Sequence, residues 1–298
     1  MSYYVPTSGT FLSRDIADYP EGIVLPVDKP WRWTSADVIR KIKYAAIRHF
    51  GKKNLKVGHA GTLDPLATGV LLVCIGPACR EAQRLQDTDK EYLATVRFGA
   101  TTPSYDLEKE VDRRFPHEHI TAEAVAAALP AFLGEQEQVA PLFSAKSVDG
   151  VRAYEMARKL YRAGDFASLD AAALDLLQRN TIRISALTLE SFRPSTKMAL
   201  YMDGSAESTD PSIKTALYVD GTASGRIHVA DTGALGLPEA RIRIACSKGT
   251  YIRSFARDLG EALGSGAHLG GLIRTRSGSF RVEEALSLDQ VINLLHHE

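Results

Sequence analysis

The sequence predicts an α+β protein, a mixed α/β chain in which helices flank a sheet, and not a doubly wound one. Strand-like and helix-like segments are interleaved along the chain, but without the regular strand–helix–strand period of a parallel sheet. Scale agrees: 298 residues, 45% apolar and 24% charged, are enough for a sizeable core. No stretch approaches the roughly 18 uninterrupted apolar residues of a membrane span. Residues 1–21 form a polar leader without the apolar centre of a secretory signal. Cys74, Cys79 and Cys246 make neither an even disulfide set nor a metal-binding pair of pairs, which fits reduced thiols in the cytoplasm.

Taken in order, Gly22 to Val27 reads as a short strand, and Thr34 or Ser35 can cap a helix beginning near Ala36. Val38, Ile42, Ala45 and Ala46 recur at helical spacing and form its buried side. Lys56 to Gly69, rich in Gly, Thr and Pro, reads as a loop, and Val70 to Ile75 is an apolar run of buried-strand length. Tyr92 to Phe98 alternates as a strand does. Thr121 opens a helix from Ala122 to about Leu129, which Pro130 ends or kinks before Gly134. Further on, Ala153 to Ala163 reads as a helix, Arg183 to Phe192 and Ala240 to Cys246 as strands, and Tyr251 to Leu263 as a helix. One local repeat, Lys197 to Gly204 and Lys214 to Gly221, ends each copy in an Asp-Gly turn signal.

Net charge says nothing for nucleic acid, because 36 basic residues balance 36 acidic ones. Its distribution says more. Val38 to Leu63 contains Arg40, Lys41, Lys43, Arg48, Lys52, Lys53 and Lys56 and no acidic residue. Further basic clusters are Arg241, Arg243, Lys248, Arg253 and Arg257, then Arg274, Arg276 and Arg281. Such basic surface is the footprint of a phosphate-backbone binder, or else of an ordinary solvated face.

The segment Gly58-His-Ala-Gly-Thr-Leu-Asp-Pro-Leu-Ala-Thr-Gly69 concentrates three glycines, a proline and two threonines around one carboxylate, Asp64. Glycine permits close approach of a bulky ligand, and proline fixes the chain just after the acid. Asp64 there can attack a substrate, take a proton, hold a cation, or simply organise the turn. No second carboxylate stands beside it, so a metal site would need distant ligands.

This segment is similar to the signature GHxGTLDPxATG of the TruB-type tRNA pseudouridine synthases. Val27-Asp-Lys-Pro30 with Thr34-Ser35 resembles that family's KPxGxTS element, Arg32 standing at its usual glycine. Asp89-Lys-Glu-Tyr92 resembles its DKxY element, and Gly99 to Asp106 the segment that ends in a fixed Asp. Ser247-Lys-Gly-Thr-Tyr-Ile-Arg253 resembles its SKGTYIR element, and Leu272-Ile-Arg274 to Ser277-Gly278 completes the family's order. Within Pro141 to Lys146, Phe143 replaces the family's Tyr and the lysine falls one position early. The material from about Ser195 to Gly236 has no recognised counterpart.

The resemblance implies the pseudouridine synthase fold, a largely antiparallel sheet flanked by helices with a central RNA-binding cleft and no full PUA domain. It divides the chain into the leader (1–21), a catalytic domain (22–282) with an insertion near 195–236, and a closing helix (283–298). The implied activity is isomerisation of uridine to pseudouridine at position 55, in the T-loop of tRNA. It is cofactor-free and metal-free, and it proceeds by base flipping. Asp64 is the implied catalytic carboxylate and Arg253 its partner. Tyr92 is the aromatic that stacks on the flipped uracil. His59 is implied to fill the space left by that base, while Lys29, Tyr251 and Leu272 build or line the pocket. Whether Asp64 attacks C1′, attacks C6 or deprotonates C2′ is left open. The expected partner is the tRNA T-arm, with no membrane and no obligatory protein partner, the chain acting as a cytoplasmic monomer. Two other classes compete: a catalytically silent tRNA-binding or folding factor, and a small-molecule glycoside hydrolase. The second lacks the paired carboxylate that chemistry requires.

Overall fold

The structure is a computed structural model that describes residues 3–141, 143, 147–148, 151–152, 179–196 and 227–296. The helix expected at Ala153 to Ala163, the Asp-Gly repeat and Lys146 lie outside the described residues.

The strands, in chain order, are β1 (Ile23–Lys29), β2 (Val57–Ala60), β3 (Ala67–Ile75), β4 (Lys90–Phe98), β5 (Ala100–Thr101), β6 (Arg113–Arg114) and β7 (Gly134–Val139). Then come β8 (Ser147–Val148), β9 (Val151–Arg152), β10 (Arg179–Arg193), β11 (Glu239–Cys246), β12 (Ala267–Ser277), β13 (Phe280–Arg281) and β14 (Leu286–Ser287). The described helices are α1 (Ser35–Phe50), α2 (Ala82–Gln86), α3 (Ala122–Ala128), α4 (Ile252–Ala262) and α5 (Leu288–Leu294). The result is the α+β class the sequence predicts. Contacts divide the chain into two compact units.

The first unit comprises Met1–Leu93, Glu207–Ile227 and Leu272–Glu298. Its strands run in the order β14, β1, β3, β12, with β2 also pairing β3. β1 pairs antiparallel with β3 over the whole of β1, Ile23 opposite Ile75 and Lys29 opposite Gly69. Both strands read as nearly unbroken apolar runs because both faces are covered. Ile23, Leu25, Val27, Leu71, Val73 and Ile75 face one core, with Val38, Ile42, Ala45 and Ala46 of α1 and Val291 of α5. Val24, Val70, Leu72 and Cys74 face a second core with Ala60, Ala78 and Leu85.

α1 begins where expected. Thr34 Oγ1 accepts from the Asp37 amide at 3.0 Å and Asp37 returns a bond to the Thr34 amide at 3.1 Å, a reciprocal cap. Gly51, in the left-handed region at φ 60°, ends it. The segment expected to be a loop from Lys56 to Gly69 is shorter than that. Val57–Ala60 pairs antiparallel with β3, and β3 already starts at Ala67. Pairing to a long apolar strand overrides the weak propensity of Gly58 and His59. The closing helix is preceded by β14, which pairs parallel with β1, and its own cap is Ser287 with Gln290.

The second unit comprises Ala94–Ala206 and His228–Gly271. Here β11, β10 and β7 follow one another. β10 is antiparallel to both neighbours and bulged twice against β11. α4 buries Ile252, Phe255, Ala256 and Leu259, and Phe255 meets Phe132 edge-on at 5.4 Å.

Candidate active site

The hairpin β2–β3 opens at Gly61 to Leu66, and Asp64 sits half-buried in that turn. The turn is held from several directions, each by groups that satisfy its backbone.

Lys29, the last residue of β1, is fully buried. Its ammonium donates to the carbonyls of Pro30 at 3.0 Å, Trp33 at 2.6 Å and Pro65 at 3.2 Å. It therefore ties the residue after Asp64 to the chain entering α1. Burial pulls the Lys29 pKa down to about 7, and the nearby Asp64 carboxylate opposes that fall.

Arg274, on β12, is 1% exposed. Its Nε donates to the Val70 carbonyl at 2.7 Å, Nη1 to Thr62 at 3.3 Å and Nη2 to Gly61 at 3.2 Å. A planar fork with several fixed donors lets one side chain reach carbonyls at three separate positions of the hairpin. Its depth is set by the parallel pairing of β12 with β3, Leu272 opposite Ala67 and Arg274 opposite Gly69. Gly69 is required at that spot. Its φ is +95°, and a Cβ there would lie 2.3 Å from the Arg274 carbonyl oxygen.

Ser35, in the first turn of α1, donates to the Leu63 carbonyl at 3.1 Å and accepts from the Leu63 amide at 3.0 Å. Asp28 accepts from the Gly69 amide at 3.0 Å, and the Arg32 amide bonds the Pro65 carbonyl at 3.0 Å. Arg32 holds a left-handed conformation at φ 63°. The turn that glycine makes easily is thus kept here with a side chain, whose guanidinium donates to the Ile227 carbonyl at 2.7 Å.

The other expected residues of the first unit stand as follows. His59, on β2, is half-buried and its Nδ1 is enclosed without a hydrogen-bond partner. Burial, and then the Arg274 charge, lower its pKa and favour neutral imidazole. Tyr92, near the start of β4, and Leu272, on β12, are half-buried and both pack on the α1-side core.

Tyr251 and Arg253 belong to the second unit. Tyr251 caps α4, and the Gln138 amide grips its backbone on both sides, Nε2 donating to its carbonyl at 3.1 Å and Oε1 accepting from its amide at 2.8 Å. Arg253 is 5% exposed, donates to the Ser104 carbonyl at 3.3 Å and lies 3.7 Å from the Asp106 carboxylate. That carboxylate ends the Gly99 to Asp106 segment.

Two expectations about charge change. Arg253 and Arg274, read as members of basic surface clusters, are buried and serve the interior. By contrast Arg40, Lys43, Arg48, Lys52, Lys53 and Lys56 are exposed. Sequence alone assigns Arg274 no role of its own, although its place in the Leu272-Ile-Arg274 element is visible.

The model of the TruB family pseudouridylate synthase N-terminal domain matches residues 48–168. That of the tRNA pseudouridylate synthase B C-terminal domain matches residues 253–298. A tRNA pseudouridine synthase B of Phocaeicola vulgatus is 44% identical over 272 residues, covering 91% of this chain and 92% of that protein. One of Bacteroides thetaiotaomicron is 44% identical over 269 residues, covering 90% and 91%. Among solved structures, a Cbf5-Nop10-Gar1 complex aligns with a TM-score of 0.56 at 23% identity, over 98% of this chain and 60% of that one. An H/ACA RNP bound to a substrate RNA containing 2′-deoxyuridine aligns with a TM-score of 0.53 at 22% identity, over 92% and 53%. The chain thus spans little more than half of those two structures, and the likeness to them is one of fold.

Proposed function

This chain belongs to the TruB family of pseudouridylate synthases, is by that membership a tRNA pseudouridine synthase, and we propose that its target is the uridine at position 55, in the T-loop. The observation that carries the reading is the turn bearing Asp64. Lys29 and Arg274 direct their donors at its backbone carbonyls and Ser35 pairs with Leu63, so the carboxylate is positioned before RNA arrives.

The reaction breaks the N1–C1′ glycosidic bond, turns the uracil and rejoins it through C5. A stacked base must first leave the RNA. Asp64 supplies the carboxylate at the sugar or ring. Tyr92 stacks on the extruded uracil, and Arg253 is the third member of the catalytic set. His59, enclosed and neutral, takes the place the base vacates without adding charge. Leu272 and Tyr251 line the pocket, while Lys29 acts on it through the backbone of the Asp64 turn. No cofactor or metal enters this scheme, and the chain works as a cytoplasmic monomer without a protein partner, which sedimentation of the active protein checks.

The test is pseudouridine formation in an unmodified tRNA transcript with the modified position mapped, comparing the protein with Asp64→Ala and Asp64→Asn. Product at the T-loop uridine, lost in both variants, is the expected result. Tight tRNA binding without product from the unaltered protein would reduce the chain to a silent RNA-binding factor.

A further inference from the structure

α1 starts at the Asp64 turn, because Ser35 bonds Leu63, and then runs away from it. Sixteen helical residues, at a rise of about 1.5 Å each, carry the chain about 24 Å to the cap at Gly51. The basic segment that in sequence leads up to the catalytic loop therefore extends in space away from it. Arg40, Lys43 and Arg48 are exposed along the helix, and Lys52, Lys53 and Lys56 cluster where it ends and β2 begins. Tyr44, 63% exposed, sits among them with the Arg48 guanidinium 5.6 Å above its ring and a bond from Arg48 Nη1 to its hydroxyl at 3.1 Å. Asp37 pairs with Arg40 at 2.8 Å, and no acidic residue follows before Asp64.

An ordinary solvated helix face intersperses both signs, since like charges three or four residues apart repel one another. This one accumulates a single sign beyond Asp37 in a protein whose total charge is zero. A polyanion lying along it would relieve that repulsion and release counterions.

We propose that the outer face of α1 and the Gly51–Lys56 turn form a phosphate-backbone rail for the double-helical stem behind the target loop, its far end about 20 Å or more from the Asp64 turn. The inference rests on the tRNA-modifying reading above. Contacts on the rail are to backbone phosphates, so they set affinity and register without reading sequence.

The experiment measures binding of an unmodified tRNA transcript, and of a target-loop hairpin with a shortened stem, across a salt series. The double variant Lys52→Glu/Lys53→Glu is compared with Arg113→Glu/Arg114→Glu, which makes the same charge change at exposed residues of the second unit. The first variant is expected to weaken full-length tRNA about tenfold and to lower its log–log salt slope by about 2, one unit per lost phosphate contact. The short hairpin, which does not reach that far, and the control variant should change less than twofold. Equal weakening of both RNAs, or an equal effect of the control, would overturn the rail. So would an unchanged slope against a parent protein that binds tRNA in a salt-dependent way. If the parent shows no such binding, the tRNA reading falls first and the rail with it.

Discussion

The hairpin β2–β3 and the turn that feeds it use cations in opposite ways at their two ends. At the Asp64 end, Lys29 and Arg274 point inward and bond the carbonyls of Gly61, Thr62, Pro65 and Val70. At the Gly51–Lys56 end, Lys52, Lys53 and Lys56 point outward, and the turn closes on its own backbone, Leu55 amide to Lys52 carbonyl at 3.2 Å and Gly76 amide to Lys56 carbonyl at 2.8 Å. A loop with inward carbonyls needs buried donors, and a buried cation needs several acceptors at once, so each stabilises the other. An exposed lysine already has water and keeps its charge available to a partner. The Asp64 turn is held in place at one end; charge is left open to solvent at the other.

The sharpest way to break this contrast is Arg274→Gln. It leaves inward carbonyls short of donors and should cost about 3–5 kcal/mol in urea unfolding, with a loss of turnover exceeding a hundredfold. A cost no larger than that of an exposed lysine would erase the distinction. Next is Gly69→Ala, whose new methyl would press on the Arg274 backbone and force β3 and β12 apart. We expect a loss of about 2–3 kcal/mol by thermal melting, without any change of charge.

Lys29→Met refines the comparison through pH. The folded pKa of Lys29, about 7, is below its ordinary value of 10.5, so between those limits the unfolded chain binds more protons than the folded one. Stability of the parent should therefore rise relative to the variant as pH increases through that window, and be level below pH 7. A flat difference would show that Lys29 keeps its proton when folded. Arginine offers no such window, because guanidinium stays charged there. The smallest effect belongs to Lys53→Ala, which should alter stability by less than about 0.5 kcal/mol.

Local signals carried much of the fold. Thr34, followed by Asp37 and the apolar spacing of Val38, Ile42, Ala45 and Ala46, marked α1, and Thr121 and Pro130 bounded α3. The alternation in Tyr92 to Phe98 marked β4. β2 was hidden because its four residues owe their conformation to β3 and not to their own propensities. Asp64 stood out as the one carboxylate in a Gly- and Pro-rich segment, but its supports did not. Arg274 and Arg281 look alike in sequence, yet one is buried and the other exposed. What separates them is a set of carbonyls some 204 to 213 residues earlier, and no local pattern encodes that. Lys29 was visible through its motif, while its depth became visible only with the carbonyls around it.

That separation also orders events during synthesis. The Asp64 turn leaves the ribosome early, but the guanidinium that braces it is translated more than 200 residues later. A nascent chain arrested before residue 274 already carries Asp64 and lacks the brace of its turn. Closing so long a loop is among the slower events in folding. The turn around Asp64 is therefore completed late, once β12 has docked against β3, and until then its inward carbonyls lack their guanidinium donors.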